Sequence, residues 1–193
     1  MTGSTDPYVY PGTTVLKNLP ELREADALAT FEAQATANRI RKLIRKPLQG
    51  KFDVAHLRAI HRYIFQDVFA WAGEIRSVSI SKGGFLFASP QFIVAALEPQ
   101  LQKLRTESLL RGLTVDAFAT RCAYYFGEVN AVHPFREGNG RTQREFFREL
   151  ALEAGHTLRW RRVERDEMIT ASSVSSTRGD NSHLARLIRA CMD

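Results

Sequence analysis

Apolar side chains return every three to four residues along nearly all of this chain, and one short stretch abandons that period. Such spacing gathers apolar groups on one side of a helix, so the pattern points to helices packed on one another. From about Asp26 to Lys46 the run is Leu28, Phe31, Ala35, Ile40, Leu43 and Ile44. Pro47 ends it, because its ring blocks the helical backbone. Asp53 is a good N-cap for a second helix lined by Leu57, Ile60, Ile64 and Phe65. Pro90 holds a favoured first-turn position of a third, which runs to about Leu110. Thr114 caps a fourth, through Phe118, Cys122, Tyr125, Phe126 and Val129 to Asn130. A strongly helical run starts at Arg141, and two more helices are expected at about 163–175 and 182–191.

The exception is residues 74–88. Ile75, Ser77, Val78, Ser79 and Ile80 lean toward alternation, Gly83-Gly84 is a turn pair, and Phe85-Leu86-Phe87 follows. That is a short β-hairpin, which must lie against helices or a ligand because an isolated hairpin is marginal in water. Residues 6–20 hold Pro7, Pro11, Gly12 and Pro20 and read as extended chain laid over the rest. The class is all-α with one hairpin, in a single domain over residues 1–193.

Composition narrows the function. The chain is 44% hydrophobic and 25% charged, which excludes disordered and fibrous classes. No run approaches the ~18 apolar residues of a membrane-spanning helix. Met1 to Pro11 has neither a cationic nor an apolar signal region. Cys122 and Cys191 supply no disulfide framework and no CxxC metal spacing, so a reducing, cytoplasmic setting is expected. The net charge of +6 permits nucleic-acid binding without arguing strongly for it. Its cations concentrate at Arg39, Arg41, Lys42, Arg45 and Lys46, and again at Arg159, Arg161, Arg162 and Arg165. Each group is a solvated surface or a docking face.

The chemistry concentrates in His133 to Arg148, HPFREGNGRTQREFFR. Gly138 and Gly140 flank Asn139 where a helix begins, letting a ligand approach main-chain N–H groups closely. Those first N–H groups are unpaired and the helix dipole is positive there, which makes an anion site suited to phosphate. Other glycine-rich nucleotide signatures fail. A P-loop needs a Lys-Ser/Thr pair at another spacing, and a dinucleotide fingerprint needs a third glycine where Gln143 stands. Arg141, Arg144 and Arg148 share a helix face, and the first two can fork a polyphosphate. Phe147, Leu150, Ala151 and Ala154 root that helix in the core. A carboxylate beside phosphates needs a cation between, so Glu137 points to Mg²⁺. His133 can accept a proton near neutral pH, while Pro134 fixes its backbone and Phe135 anchors the loop.

The stretch HPFREGNGRTQR resembles the Fic motif, HPFx(D/E)GNGRxxR, at every specified position from His133 to Arg144. DPYVYPGTTVLKN near the start, Trp71-Ala72-Gly73 and the EAGH after the motif helix look like short FicT-type toxins. The resemblance covers roughly residues 6 to 190. It implies an all-α core with a hairpin flap over the site, and AMP transfer from ATP to a hydroxyl side chain of a target protein. It makes His133 the general base, Glu137 the Mg²⁺ ligand, and Gly138, Asn139 and Gly140 the phosphate cradle. Arg141 and Arg144 then orient the β- and γ-phosphates. The flap pairs with an extended segment of the target, with Lys82 and Phe87 as its weaker candidates; surface lysine and core aromatic are their plain alternatives. Gly140 and Arg141 are intact, which favours ATP.

Family members are generally restrained by a helix carrying (S/T)xxxE(G/N). Here Glu followed by Gly or Asn occurs only at Glu137-Gly138, inside the loop itself. The resemblance therefore implies a separate small antitoxin whose glutamate engages Arg144. It also implies DNA gyrase and topoisomerase IV as targets. The competing readings are the Fic module of a secreted or conjugatively delivered effector, and a non-catalytic basic module binding nucleic acid through Arg39–Lys46.

Overall fold

Side-chain caps open two of the helices in the computed structural model, which describes residues 6–193. The helices are α1 (Ala25–Arg45), α2 (Val54–Phe65), α3 (Ile93–Thr106), α4 (Val115–Val132), α5 (Asn139–Glu153), α6 (Arg165–Arg178) and α7 (Ser182–Ala190). Asp53 accepts from the His56 N–H at 2.8 Å, and Thr114 Oγ1 from the Ala117 N–H at 3.3 Å, so both expected caps are made. α6 ends later than the expected 175 because the first left-handed residue is Gly179, at φ 68°. The helix expected from Pro90 to Leu110 is three pieces. Pro90–Phe92 and Ser108–Leu110 are single 3₁₀ turns flanking α3. The second has positive φ at all three residues and drives Leu110 into the core.

α4 is the central helix, in contact with α3, α5, α6 and α7. Its buried positions run all round, from Phe118 through Tyr125 to Val129, as a surrounded helix requires. Gly127 lets α6 and α7 close in. A Cβ there would lie 2.5 Å from Asn181 Oδ1 and 2.6 Å from Ser175 Oγ. One continuous apolar core joins Phe65 of α2, Phe118 of α4, Phe146 of α5 and Ile188 of α7. Truncating any of these phenylalanines to alanine costs about 3–5 kcal/mol.

Two expectations need correction. Residues 6–20 do not stay extended: Val9 pairs with Leu16 across a turn, burying Tyr10 and Val15. Met1 to Thr5 lie outside the described residues. In 74–88 only β1 (Ser81–Lys82) and β2 (Phe85–Leu86) are strands, antiparallel around Gly83-Gly84. The alternation at 75–80 belongs instead to a stretch pinned by the side chain of Arg76. No helix among the described residues is long and apolar enough to cross a membrane. The basic groups are partly neutralised, Arg39 by Asp67 and both Arg159 and Arg162 by Asp193.

Candidate active site

His133 closes α4 in the left-handed conformation, φ 51° and ψ 66°, which turns the chain into the glycine-rich loop. Its Nδ1 lies 3.1 Å from the Asn130 carbonyl, an acceptor only, so Nδ1 carries the proton and Nε2 the lone pair. The Phe87 ring stacks on the imidazole at 3.9 Å and 17°. Burial lowers the His133 pKa to about 4; the Asn130 bond opposes this, Lys82 and Arg76 add to it, and Glu137 opposes it. The imidazole is therefore neutral at pH 7, the form a general base needs.

The loop that follows hangs on side chains from elsewhere. Phe135 is buried and stacks on His61 of α2 at 3.9 Å. His61 Nδ1 accepts from the Gly73 N–H at 2.7 Å, which leaves Nε2–H to donate to the Glu137 carbonyl at 3.1 Å. Desolvation drives its pKa to about 3, so it holds the loop as a neutral group. Its one signal in the sequence is a histidine within the apolar stripe of Leu57, Ile60 and Ile64, too little to single it out. Asn139 also turns inward. Its Oδ1 accepts from the Phe135 N–H at 2.9 Å and its Nδ2 donates to the Phe135 carbonyl at 2.7 Å. As a phosphate cradle it therefore offers only its main-chain N–H.

Gly138 begins α5 with φ 80°, and a Cβ there would meet Phe65 Cζ at 2.1 Å, so no other residue fits. Its N–H donates to Glu137 Oε1 at 2.8 Å. Among the described residues, the main-chain N–H groups of Asn139, Gly140 and Arg141 have no acceptor. Unpaired donors at the positive end of a helix make an anion site. Arg141 is ion-paired with Glu32 of α1 and lies 3.3 Å from Glu137 Oε1, its guanidinium over the Phe65 ring. Desolvation raises the Glu32 pKa, and the Arg141 charge opposes it. Arg144 has no carboxylate partner among the described residues, and burial lowers its pKa. Arg148 departs from this pair, bonding Glu145 at 2.8 Å.

His133, Gly140, Arg141 and Arg144 open on one cavity of about 730 Å³, closed on its other sides by Lys82 and Phe87 of the flap and Ser172 of α6; Glu137, Gly138 and Asn139 do not line it. That is the size of a small-molecule site. Gln143 lies on the same wall with neither amide atom paired, an unmet donor and acceptor that fits a polar occupant. The flap candidates thus come to the site, Phe87 on the imidazole and Lys82 on the rim. No cluster of three metal-ligating side chains occurs among the described residues. Glu137, half-exposed beside the anion site, suits Mg²⁺, which takes one or two carboxylates and completes its shell with phosphates and water.

Comparison with known proteins bears on this arrangement. A profile of the Fic/DOC family matches residues 51–151. The chain belongs to the Fic/DOC family. It is 44% identical over 187 residues to the protein adenylyltransferase VbhT of Bartonella schoenbuchensis, spanning 97% of this chain and 39% of that one. It is 38% identical over 184 residues to a probable protein adenylyltransferase Fic of Salmonella typhimurium, covering 95% and 90%. The crystal structure of the effector protein BepC of Bartonella tribocorum with bound AMPPNP superimposes with a TM-score of 0.91 at 28% identity, covering 96% of each chain. The Fic/DOC profile spans the flap, His133 and the loop through Arg144.

Proposed function

We propose that this protein is a protein adenylyltransferase, transferring AMP from ATP to a hydroxyl side chain of a target protein. The observation that carries the reading is a neutral His133 and the α5 residues Gly140 and Arg141, with their unpaired N–H groups, opening on one cavity. ATP lays its phosphates on the N–H groups of Asn139, Gly140 and Arg141, with Arg141 and Arg144 turned to the β- and γ-phosphates. His133 Nε2 takes the proton of the target hydroxyl as its oxygen bonds the α-phosphorus. The bond from that phosphorus to the bridging oxygen breaks, and pyrophosphate leaves. Glu137 would hold Mg²⁺, which would neutralise phosphate charge when bound. Positioning and charge stabilisation do most of this work, and this loop supplies both. The flap offers a strand edge to an extended segment of the target.

Resemblance to FicT-type toxins supports a toxin whose targets are DNA gyrase and topoisomerase IV. An Arg144 free of any carboxylate among the described residues supports restraint in trans, by a glutamate from a small antitoxin. The likeness to BepC, a VirB-translocated effector protein, favours a second reading as the catalytic module of a delivered effector.

Incubating the protein with α-labelled ATP, Mg²⁺ and bacterial lysate tests the chemistry. Label should appear on a discrete protein band with wild type and vanish with His133→Ala. Equal labelling by the variant removes His133 from the reaction. Transfer from γ-labelled ATP makes the enzyme a kinase instead.

A further inference from the structure

Arg76 is 1% exposed and faces no carboxylate among the described residues. A buried cation is costly unless its donors are met. Here main-chain carbonyls meet four of the five guanidinium N–H groups. Nε donates to the His133 carbonyl at 2.8 Å, and Nη2 to those of Val132 at 3.2 Å and Ala88 at 2.5 Å. Nη1 donates to the Val78 carbonyl at 2.6 Å, and the Arg76 N–H to that of Pro134 at 3.0 Å. Val132 and His133 lie at the carboxyl end of α4, where carbonyls lack helical partners and the dipole is negative, so the charge is favourable there. Val78 and Ala88 bracket the hairpin, one on each stem.

We propose that Arg76 is a positioning residue that ties both stems of the flap to the backbone of His133, so that flap and imidazole move as one body. The inference rests on the reading of His133 as the base. The rigid guanidinium fork explains the residue type, because a lysine ammonium cannot span four carbonyls lying in two directions. The groups facing His133 are Lys82 on β1, Arg76, and Glu137 in the loop, the first two opposing its protonation and the third favouring it.

The test uses the wild-type chain, Arg76→Gln and Arg76→Lys. Each is measured for kcat, for ATP affinity, and for amide exchange over 78–88 and 130–138. The expected result for Arg76→Gln is a fall in kcat of about 100-fold, as a displaced catalytic group gives, with ATP affinity within about threefold. Exchange should quicken in both segments together, and the acid limb of the rate profile should move to higher pH. Arg76→Lys should restore the position of that limb but only part of kcat. Should Arg76→Gln not fold, exchange in wild type decides: the two segments should open with one common free energy. Separate opening, or an unchanged kcat in a folded variant, overturns the coupling. Full transfer by His133→Ala overturns the base assignment instead, and leaves the exchange result to judge the tie alone.

Discussion

His133 carries its environment in its titration. With an ordinary imidazole, kcat/KM would fall about tenfold between pH 7 and 5.5 as the base is protonated. Burial places the His133 pKa at about 4, so the free enzyme should keep nearly all its kcat/KM over that interval. A pH–rate profile with an acid limb near 6.5 would show an imidazole open to solvent. His133, Glu137, Arg141 and Arg144 were legible as a group because their spacing fixes their geometry: a loop of four residues into a helix leaves little freedom. Asn139 was not, since nothing in Gly-Asn-Gly tells an amide aimed at phosphate from one clamped on Phe135. His61 and Arg76 escaped for another reason. Their partners are main-chain atoms, all but the Val78 carbonyl 12 to 76 positions away, and main-chain partners leave no pattern of residue types.

At the scale of elements, the helices were legible because caps and apolar period agree, as at Asp53 and Thr114. The hairpin was legible in its turn and not in its length, because two-residue strands contribute too little period to count. What holds it is Arg76 at its stems and Phe87, which leaves β2 to cover the imidazole. Phe87→Ala uncovers one face of His133 without touching the anion site. The expected outcome is a fall in kcat of about tenfold, through looser placement of the base, with ATP affinity within about twofold. Steady-state kinetics beside direct ATP binding separate the two. An equal loss of ATP affinity would make Phe87 a wall of the nucleotide cavity rather than a cover for the base.

Across the whole molecule, the same buried imidazoles link stability to acidity. The His61 pKa falls from about 6.5 unfolded to about 3 folded, so below 6.5 the unfolded chain binds the extra proton. Its stabilising share is complete above pH 6.5 and drains as pH falls toward 3. Between pH 6.5 and 5 that loss is about 2 kcal/mol from His61 alone, a serious fraction of a total of about 5–15 kcal/mol. Glu32 and Glu145, whose pKa values burial raises, act in the opposite sense and gain stability on acidification. Comparison with His61→Gln cancels them. The glutamine amide can accept from Gly73 and donate to Glu137 as the imidazole does, yet it does not titrate. In urea unfolding the variant should be less stable than wild type at pH 7 and should lose about 2 kcal/mol less on moving to pH 5. Equal losses in the two proteins would mean that the acid sensitivity of this fold runs through groups other than the histidine beneath its catalytic loop.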